Sequence, residues 1–444
     1  MASFLDMFSV ALMPVLKVLL MTAAGLFLAL DSIDILGDTS RHHLNRIVFY
    51  CFNPALVAVS FAKTVTFQSF ITLWFMPVNI FLTYLIGTVL GWVLGKVIKA
   101  PNHIKCLMLA SCASGNFLAL PIIIIPAMCQ LKGGPFGTPD VCAPHAQVYA
   151  SLSMAIGVTY FWSYVYNMVR IYPKDTVPEN LDVVSSSNTV EGKAEETLVN
   201  VKDLELLSRM NSTLVTPVDE LSDSSSNKAD EETPANDAQC LPSANQSKEL
   251  SEPCHFMMTL ACMLKRCLRD ASKKMNLKKA MAPSTIAGII GILIGMIWPI
   301  KYVLIGDSAP LRVISNTSSM IGDAAIPCTA LILGANLLKG LRGCKVQHTV
   351  IIGIIAVRYI LLPLIGILIV KGAVHLGFVE PHNPLLHFSL MIHYALPPAM
   401  NLGTVTQLFG IGQRECSVIM LWTYAVAAVA VTLWCTLFSW LVAF

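Results

Sequence analysis

Charged residues are scarce in this sequence, and most of the acidic ones lie in one stretch. Only 13% of the 444 residues are charged, whereas soluble proteins carry about 25%. Residues 175–252 hold 17 of the 27 acidic residues, so the rest of the chain is nearly free of carboxylates. This scarcity excludes an ordinary soluble protein. The net charge of +3 gives no reason to expect a nucleic-acid partner.

Clusters typical of an enzyme or a metal site are also missing from the sequence. The 13 cysteines form no Cys-x-x-Cys pair and no Cys/His spacing suited to a metal. Asp323 stands alone within the apolar runs, and the histidines there do not cluster. An intramembrane enzyme would need paired aspartates, a Ser/His pair or a His-rich site. We therefore expect no enzyme activity, no metal ion and no cofactor.

Long apolar runs make up most of the chain instead. Hydrophobic residues account for 55% of the sequence, and a run of about 20 apolar residues is long enough to cross a bilayer as a helix. The sequence predicts an all-α polytopic membrane protein, embedded in membrane lipid, with ten spans. They cover roughly 10–30, 45–63, 70–97, 104–128, 148–170, 282–304, 312–338, 347–371, 384–409 and 416–441.

The middle of the chain has a different composition. Residues 171–253 are rich in Ser, Asn, Pro and acidic residues, and such a stretch buries too little apolar surface to fold alone. We expect a disordered loop there. Residues 254–280 mix apolar and basic side chains, which predicts either an amphipathic helix on the membrane surface or a plain basic flank of the next span. Two membrane domains, 1–170 and 281–444, lie on either side.

The distribution of Lys and Arg among the short loops predicts the orientation. The loops after spans one, three, seven and nine hold most of them. The positive-inside rule places these loops and the long central loop in the cytosol. Both chain termini then face the lumen or the exterior. Cys129 and Cys142 lie in the loop after span four, on the oxidising side, where they form either a disulfide or two free thiols.

The two membrane domains contain similar segments. NPALVAVSFAK (53–63) in span two and IPCTALILGAN (326–336) in span seven have proline at the same offset. ALPIII (119–124) in span four matches ALPPAM (395–400) in span nine. Because each half has five spans, the second copy must insert upside down. Inverted repeats with broken helices are typical of secondary transporters, whose substrate sites lie near the bilayer midplane.

The prolines of spans four and nine identify the candidate site. Pro121, Pro397 and Pro398 interrupt apolar helices, and we expect these broken helices to cross. Helix N-termini at the breaks would carry partial positive charge, which suits an anion such as a carboxylate. Asn116 and Asn401 lie beside the breaks. Either these amides bind the substrate or each satisfies the broken backbone of its own helix.

Five further polar residues lie within the spans. Asn53 and Asn336 either line the same cavity or serve helix packing. Asp323 either carries a coupling proton, binds a cation or caps a broken helix, and a structural hydrogen bond is the remaining alternative. Lys17 and Arg358 either snorkel towards the headgroups or pair with a substrate carboxylate.

The sequence also resembles a known family. The resemblance rests on the segments SGNFLALPIIIIPAMC, GGPFGTPDVC, YVYNMVR, IGDAAIPCTALILGANL and HYALPPAMNLGTVTQLF. These are similar, in the same order, to segments of the plant PIN-LIKES proteins, within the auxin efflux carrier family. The resemblance covers both membrane domains. The central loop is shorter than in plasma-membrane PIN proteins, and the span-nine motif ALPPAMNLG differs in detail.

The resemblance implies both a fold and a function. The fold would have ten spans in two inverted five-helix repeats, with crossing broken helices at spans four and nine, similar to bile-acid symporters. The function would be transport of auxin, indole-3-acetic acid, from the cytosol into the endoplasmic reticulum, which lowers nuclear auxin signalling. The family's crossover asparagine and proline correspond to Asn116 and Pro121, and its span-nine prolines to Pro397 and Pro398. The family also makes a homodimer plausible.

Two alternative functions share these features. An auxin-binding membrane receptor would have the same kind of site without transport, and a carrier of a different small carboxylate would have the same fold. The repeat favours a carrier that works by alternating access, because inverted symmetry supplies two states of similar energy.

Overall fold

The computed structural model describes residues 4–131, 133–171, 281–306, 308–341 and 346–443. Within these ranges the chain is helical almost throughout, and its only extended pairing is an isolated bridge between Gly115 and Pro398. The predicted disordered loop and basic segment, at 172–280, lie outside the described residues.

Nine α-helices and two π-helical turns make up the described part of the first membrane domain. They are α1 (Phe4–Leu28), α2 (Asp38–Ile47), π1 (Val48–Phe52), α3 (Asn53–Thr64), α4 (Phe67–Thr72), α5 (Phe75–Ile98), α6 (Asn102–Ala113), α7 (Leu120–Met128), α8 (Pro139–Tyr160), π2 (Phe161–Val165) and α9 (Tyr166–Ile171).

Nine α-helices and one π-helical turn make up the described part of the second membrane domain. They are α10 (Pro283–Met296), α11 (Trp298–Leu304), α12 (Arg312–Asp323), α13 (Ala325–Leu341), α14 (His348–Ala356), π3 (Val357–Leu361), α15 (Leu362–His375), α16 (Pro384–Ile392), α17 (Asn401–Phe409) and α18 (Gln413–Ala443).

Six helices in the described ranges, counted across short irregularities, are long and apolar enough to cross a membrane. They run over Phe8–Leu28, Asp38–Thr64, Phe75–Ile98, Arg312–Leu338, His348–His375 and Gln413–Ala443. A seventh candidate consists of α10 and α11, which are bent by 101° at their junction. The prediction of an all-helical polytopic membrane protein is confirmed.

The other predicted spans differ more from their expected form. Predicted spans four and nine are each divided into two short helices, α6 with α7 and α16 with α17. Predicted span five is the later part of a longer helical segment, which begins at Pro139. Predicted span three begins at Phe75, because residues 67–72 form the separate helix α4. The Thr66 hydroxyl caps α4 by accepting a hydrogen bond from the Ser69 N–H at 3.0 Å.

The helices form two groups, which also pack against each other through α1 with α18, α13 with α18 and α3 with α8. In the first group, α3 packs against α10 and α12, and α1 packs against α13. In the second, α5 packs against α6, α7 against α8, and α16 and α17 against α18. Glycine allows the closest approach within the first group, since a Cβ on Gly334 of α13 would overlap the carbonyl oxygen of Thr22 on α1. Such small-residue faces are a common means of helix packing in membranes.

Candidate functional site

Two helix breaks meet in the centre of the second packing group. The first break covers residues 114–119, between α6 and α7, and the second covers residues 393–400, between α16 and α17. Pro121 lies in the first turn of α7. The missing N–H costs no hydrogen bond there, because the first N–H groups of a helix have no partner within the helix. The break therefore precedes Pro121 instead of falling on it. Pro397 and Pro398 lie inside the second break.

The two breaks are joined by backbone hydrogen bonds. The Asn116 N–H donates to the Pro397 carbonyl at 2.7 Å, and the Ala399 N–H donates to the Ser114 carbonyl at 3.1 Å. Gly115 and Pro398 form the antiparallel bridge between these bonds. Backbone groups freed by a broken helix need partners in a membrane, since no water is available there. Each break supplies partners for the other, and we call this junction of residues 114–119 and 393–400 the crossing.

Side chains of neighbouring helices satisfy further carbonyls at the crossing. The Arg358 guanidinium, on π3, donates to the carbonyls of Cys112 at 3.1 Å, Pro397 at 3.3 Å and Leu396. The Tyr424 hydroxyl, on α18, donates to the Pro398 carbonyl at 2.9 Å. Arg358 is completely buried, so it does not snorkel towards the membrane surface.

Asn116 and Asn401 each keep an unpaired polar atom at the crossing. The Asn116 Oδ1 accepts a hydrogen bond from the Ala119 N–H at 3.3 Å, just before α7 begins. Its Nδ2 makes no hydrogen bond of standard geometry, although the Tyr424 hydroxyl lies close to the amide. Asn401 is the first residue of α17, and its buried Oδ1 has no partner. The Asn116 Oδ1 thus serves its own helix, and the binding role of Asn116 stays a prediction.

Asn336 and Asn53 lie in different surroundings. A Cβ atom on Gly403 of α17 would lie 3.1 Å from the Asn336 Nδ2. Asn336 therefore faces the short helix that begins at Asn401. Asn53 opens α3, is completely buried, and has no partner for either amide atom. It lies one turn before Val57, which packs against Gly288 of α10. Both expected roles of Asn53, lining the cavity and serving helix packing, stay predictions.

Asp323 lies outside the crossing. It is the last residue of α12, and its side chain is exposed. The adjacent Gly322 packs tightly on α3, because a Cβ there would lie 2.7 Å from the backbone of Leu56. The proton, cation and capping roles of Asp323 stay predictions.

A buried polar network that the sequence analysis missed supports the start of the second break. The Asn79 Nδ2, on α5, donates to the Leu390 carbonyl at 3.0 Å and lies 3.2 Å from the His393 Nδ1. The Tyr394 hydroxyl donates to the Asn79 Oδ1 at 3.0 Å. Since the His393 Nδ1 accepts from an amide, its Nε2 carries the proton and donates to the Ser153 hydroxyl at 2.8 Å.

This network could have been found from the sequence. Asn79 is a lone amide in the apolar run of predicted span three, and polar groups at membrane depth require partners. Beyond the network lies a cavity of about 50 Å³, lined by Met76, Tyr149, Asn383 and Leu390 among others. That volume holds a few water molecules and is far below the roughly 300 Å³ or more of a ligand pocket.

Aromatic rings and a disulfide complete the surroundings of the crossing. The Phe117 ring, within the first break, lies parallel to the Tyr84 ring at a centroid distance of 6.0 Å and 5.3 Å from the His393 ring. Cys129 and Cys142 form a disulfide that joins the end of α7 to the first turns of α8.

Comparison with known proteins places the chain in a family. A family model described as membrane transport protein matches residues 10–435. The Arabidopsis thaliana protein PIN-LIKES 3 is 41% identical over 443 residues, which covers 100% of both chains. Protein PIN-LIKES 4 of the same plant is 42% identical over 443 residues, covering 99% of both, and protein PIN-LIKES 1 is 40% identical over 439 residues, covering 99% of this chain and 81% of that protein. A membrane transport family is not a family of enzymes. The chain belongs to the membrane transport protein family and, within it, to the PIN-LIKES proteins.

Proposed function

We propose that this protein is a secondary carrier that moves auxin, indole-3-acetic acid, across the endoplasmic reticulum membrane by alternating access, and so regulates nuclear auxin signalling. The observation that carries the proposal is the crossing, where two broken helices pair through their backbones, with unpaired amide atoms on Asn116 within it and on Asn401 directly after it. Auxin and the endoplasmic reticulum come from the resemblance to plant PIN-LIKES proteins.

The chemistry of the crossing suits an aromatic carboxylate. Helices α7 and α17 both begin at the crossing, and helix N-termini attract anions through free N–H groups and partial positive charge. The Asn116 Nδ2 offers a further donor. The Phe117 ring lies in the same break, buried against the Tyr84 ring, and an indole ring would pack there only after Phe117 moves.

The architecture of a carrier supports the same proposal. We propose ten spans in two inverted five-helix repeats, 1–170 and 281–444, as in bile-acid symporters. The breaks occupy equivalent places in the two halves, spans four and nine, and they pair in antiparallel fashion. The group of α1, α3, α10, α12 and α13 would stay in place while the group that holds the crossing moves against it.

The orientation and assembly are also proposals. The central loop would face the cytosol, both termini would face the lumen, and two chains would form a homodimer. The disulfide between Cys129 and Cys142 agrees with a lumenal position for the loop after span four, because disulfides persist in oxidising compartments.

Uptake into liposomes tests the carrier. The purified full chain would be reconstituted, and uptake of radiolabelled indole-3-acetic acid would be measured with and without a pH gradient. We expect saturable uptake by the wild type and its loss in Asn116→Ala and Asn401→Ala. Asn316→Ala is the matched control, because this amide is exposed on α12 and should leave uptake unchanged.

The outcomes separate the alternative functions. Binding of auxin without uptake above passive leak would replace the carrier by a receptor. Uptake of benzoate or phenylacetate but not of auxin would mean a carrier of a different small carboxylate. Uptake that survives both asparagine substitutions would remove the substrate from the crossing.

A further inference from the structure

Arg358 is a buried cation without a carboxylate partner. Its side chain is completely buried on π3 and is among the largest fully buried side chains. Among the described residues the structure shows one ion pair, between Arg41 and Asp38, and Arg358 is not part of it. All three hydrogen bonds of Arg358 go to backbone carbonyls. Its Nε has no partner. Carbonyl dipoles solvate a guanidinium but do not cancel its charge, so the crossing carries a net positive charge in a low-dielectric surrounding.

One of the three carbonyls lies at a helix end and the other two lie inside the second break. Cys112 is in the last turn of α6, whereas Leu396 and Pro397 lie beyond Ile392, where α16 ends. Helix C-termini and their free carbonyls carry partial negative charge, which an adjacent cation offsets. Arg358 therefore offsets the negative end of α6 and also bonds two carbonyls of the second break. Neither α7 nor α17 has an acidic residue in its first turn.

This arrangement decides the sign of the field at the crossing. Without Arg358, two positive and two negative helix ends would meet there and their fields would largely cancel. With Arg358, the guanidinium adds a buried positive charge beside these ends, and this charge favours an anion.

We propose that Arg358 is the specificity-determining residue that makes the crossing select a carboxylate over a neutral compound of the same shape. It acts through its charge and through the carbonyls that it caps, without contacting the ligand. The inference rests on the proposed function, because it takes the crossing as the substrate site.

The test compares an acid with its own amide. Dissociation constants of indole-3-acetate and indole-3-acetamide would be measured by calorimetry on the full chain in nanodiscs at neutral pH, where only the acid is charged. We expect the wild type to prefer the acid. Arg358→Gln should lower the acid-to-amide affinity ratio about 30-fold, the effect of a unit charge over roughly 8 Å at an effective dielectric constant of about 20. Arg358→Lys should keep most of the preference.

Two control variants separate charge from structure. Tyr424→Phe removes an uncharged hydrogen bond to the Pro398 carbonyl and should weaken both ligands equally. Lys17→Gln removes a cation that is exposed on α1, outside the crossing, and should change neither affinity.

A second pair of variants applies even when Arg358→Gln does not fold. The guanidinium bonds the backbone carbonyl of Cys112 at 3.1 Å, so Cys112→Asp would place a carboxylate near it and offset its charge. Cys112→Asn has the same shape without the charge. We expect the aspartate variant to lose the preference for the acid and the asparagine variant to keep it.

The results overturn the inference and the proposed function in different ways. An unchanged acid-to-amide ratio in Arg358→Gln or Cys112→Asp, or a wild type that binds acid and amide equally, overturns the role of Arg358. A wild type that binds phenylacetate or benzoate but not indole-3-acetate overturns auxin alone, and the ratio for that acid and its amide then tests Arg358. A wild type that binds none of the three carboxylates overturns both.

Discussion

Replacing Asn79 by alanine should destabilise the protein by removing the support of the second helix break. The Asn79 amide donates to the Leu390 carbonyl and to the His393 ring, and it accepts from the Tyr394 hydroxyl. Asn79 is on α5, whereas its three partners surround the end of α16. One substitution therefore removes three hydrogen bonds from the interior, and only the Tyr394 hydroxyl keeps a second, longer bond, to the backbone carbonyl of residue 79 at 3.4 Å.

The size of the effect follows from the number of bonds lost. Interhelical hydrogen bonds in membranes contribute about 0.6 kcal/mol on average and at most about 1.7 kcal/mol each. Three such bonds give an expected loss of about 2–5 kcal/mol in the free energy of unfolding. The upper part of this range is favoured by the complete burial of Asn79, since a buried polar group left without a partner is costly.

The assay uses cysteines that the fold conceals. Cys106, Cys112, Cys416 and Cys435 are free and buried, so a thiol-reactive dye reports unfolding in mixed micelles as denaturant is added. Asn316→Ala, which removes an exposed amide from α12, is the control and should change the free energy by less than about 0.5 kcal/mol.

A double-mutant cycle distinguishes the network from a general loss of packing. Asn79→Ala and Tyr394→Phe should be non-additive, because the second substitution removes a bond already lost in the first. Additivity within about 0.3–0.5 kcal/mol would show that the two side chains act independently. That result, or an Asn79→Ala variant as stable as the control, would refute the reasoning.

Three further substitutions have expected outcomes. Gly366→Ala should cost about 1–3 kcal/mol by overpacking, because a Cβ there would overlap the Tyr394 ring; an unchanged unfolding curve would contradict this contact. Replacing Cys129 and Cys142 by serine opens a loop with a sequence separation of 13 and should lower the free energy of unfolding by about 3 kcal/mol. Reduction of the wild-type disulfide should lower the unfolding midpoint by the same amount as the double substitution. If Asp323 carries the coupling proton, Asp323→Asn should leave saturable uptake intact but abolish its dependence on a pH gradient. A variant whose uptake depends on the gradient as strongly as that of the wild type would exclude this role.

The helix breaks are the part of the site that local sequence predicts well. Proline lacks an N–H and has a fixed φ, so its position limits where a helix runs. The prediction placed the interruption at Pro121, whereas the structure breaks the helix at residues 114–119 and begins α7 at Leu120. A proline fits the first turn of a helix without loss of a hydrogen bond. Pro121 therefore indicates where the second helix of the broken span begins.

The partners of the polar side chains are the part that local sequence does not predict. Arg358 reaches Cys112 across 246 residues, and Asn79 reaches His393 across 314. Such pairs depend on which helices become neighbours, and apolar spans of similar composition give little indication of their neighbours. The sequence left Arg358 either snorkelling or pairing with a carboxylate. Its actual partners are backbone carbonyls, which exist only because two helices are broken at the same place.

The balance between paired and unpaired atoms at the crossing connects the fold to a binding role. Leaving a buried polar atom unpaired costs about 1–3 kcal/mol, and most backbone groups of the two breaks have partners. The atoms that remain are the Asn116 Nδ2, the Asn401 Oδ1 and the Arg358 Nε. Two of these three are donors beside a net positive charge. Under the proposed function, a carboxylate would supply the acceptors and the negative charge that the crossing lacks, whereas a cation or an apolar ligand would leave both donors unpaired.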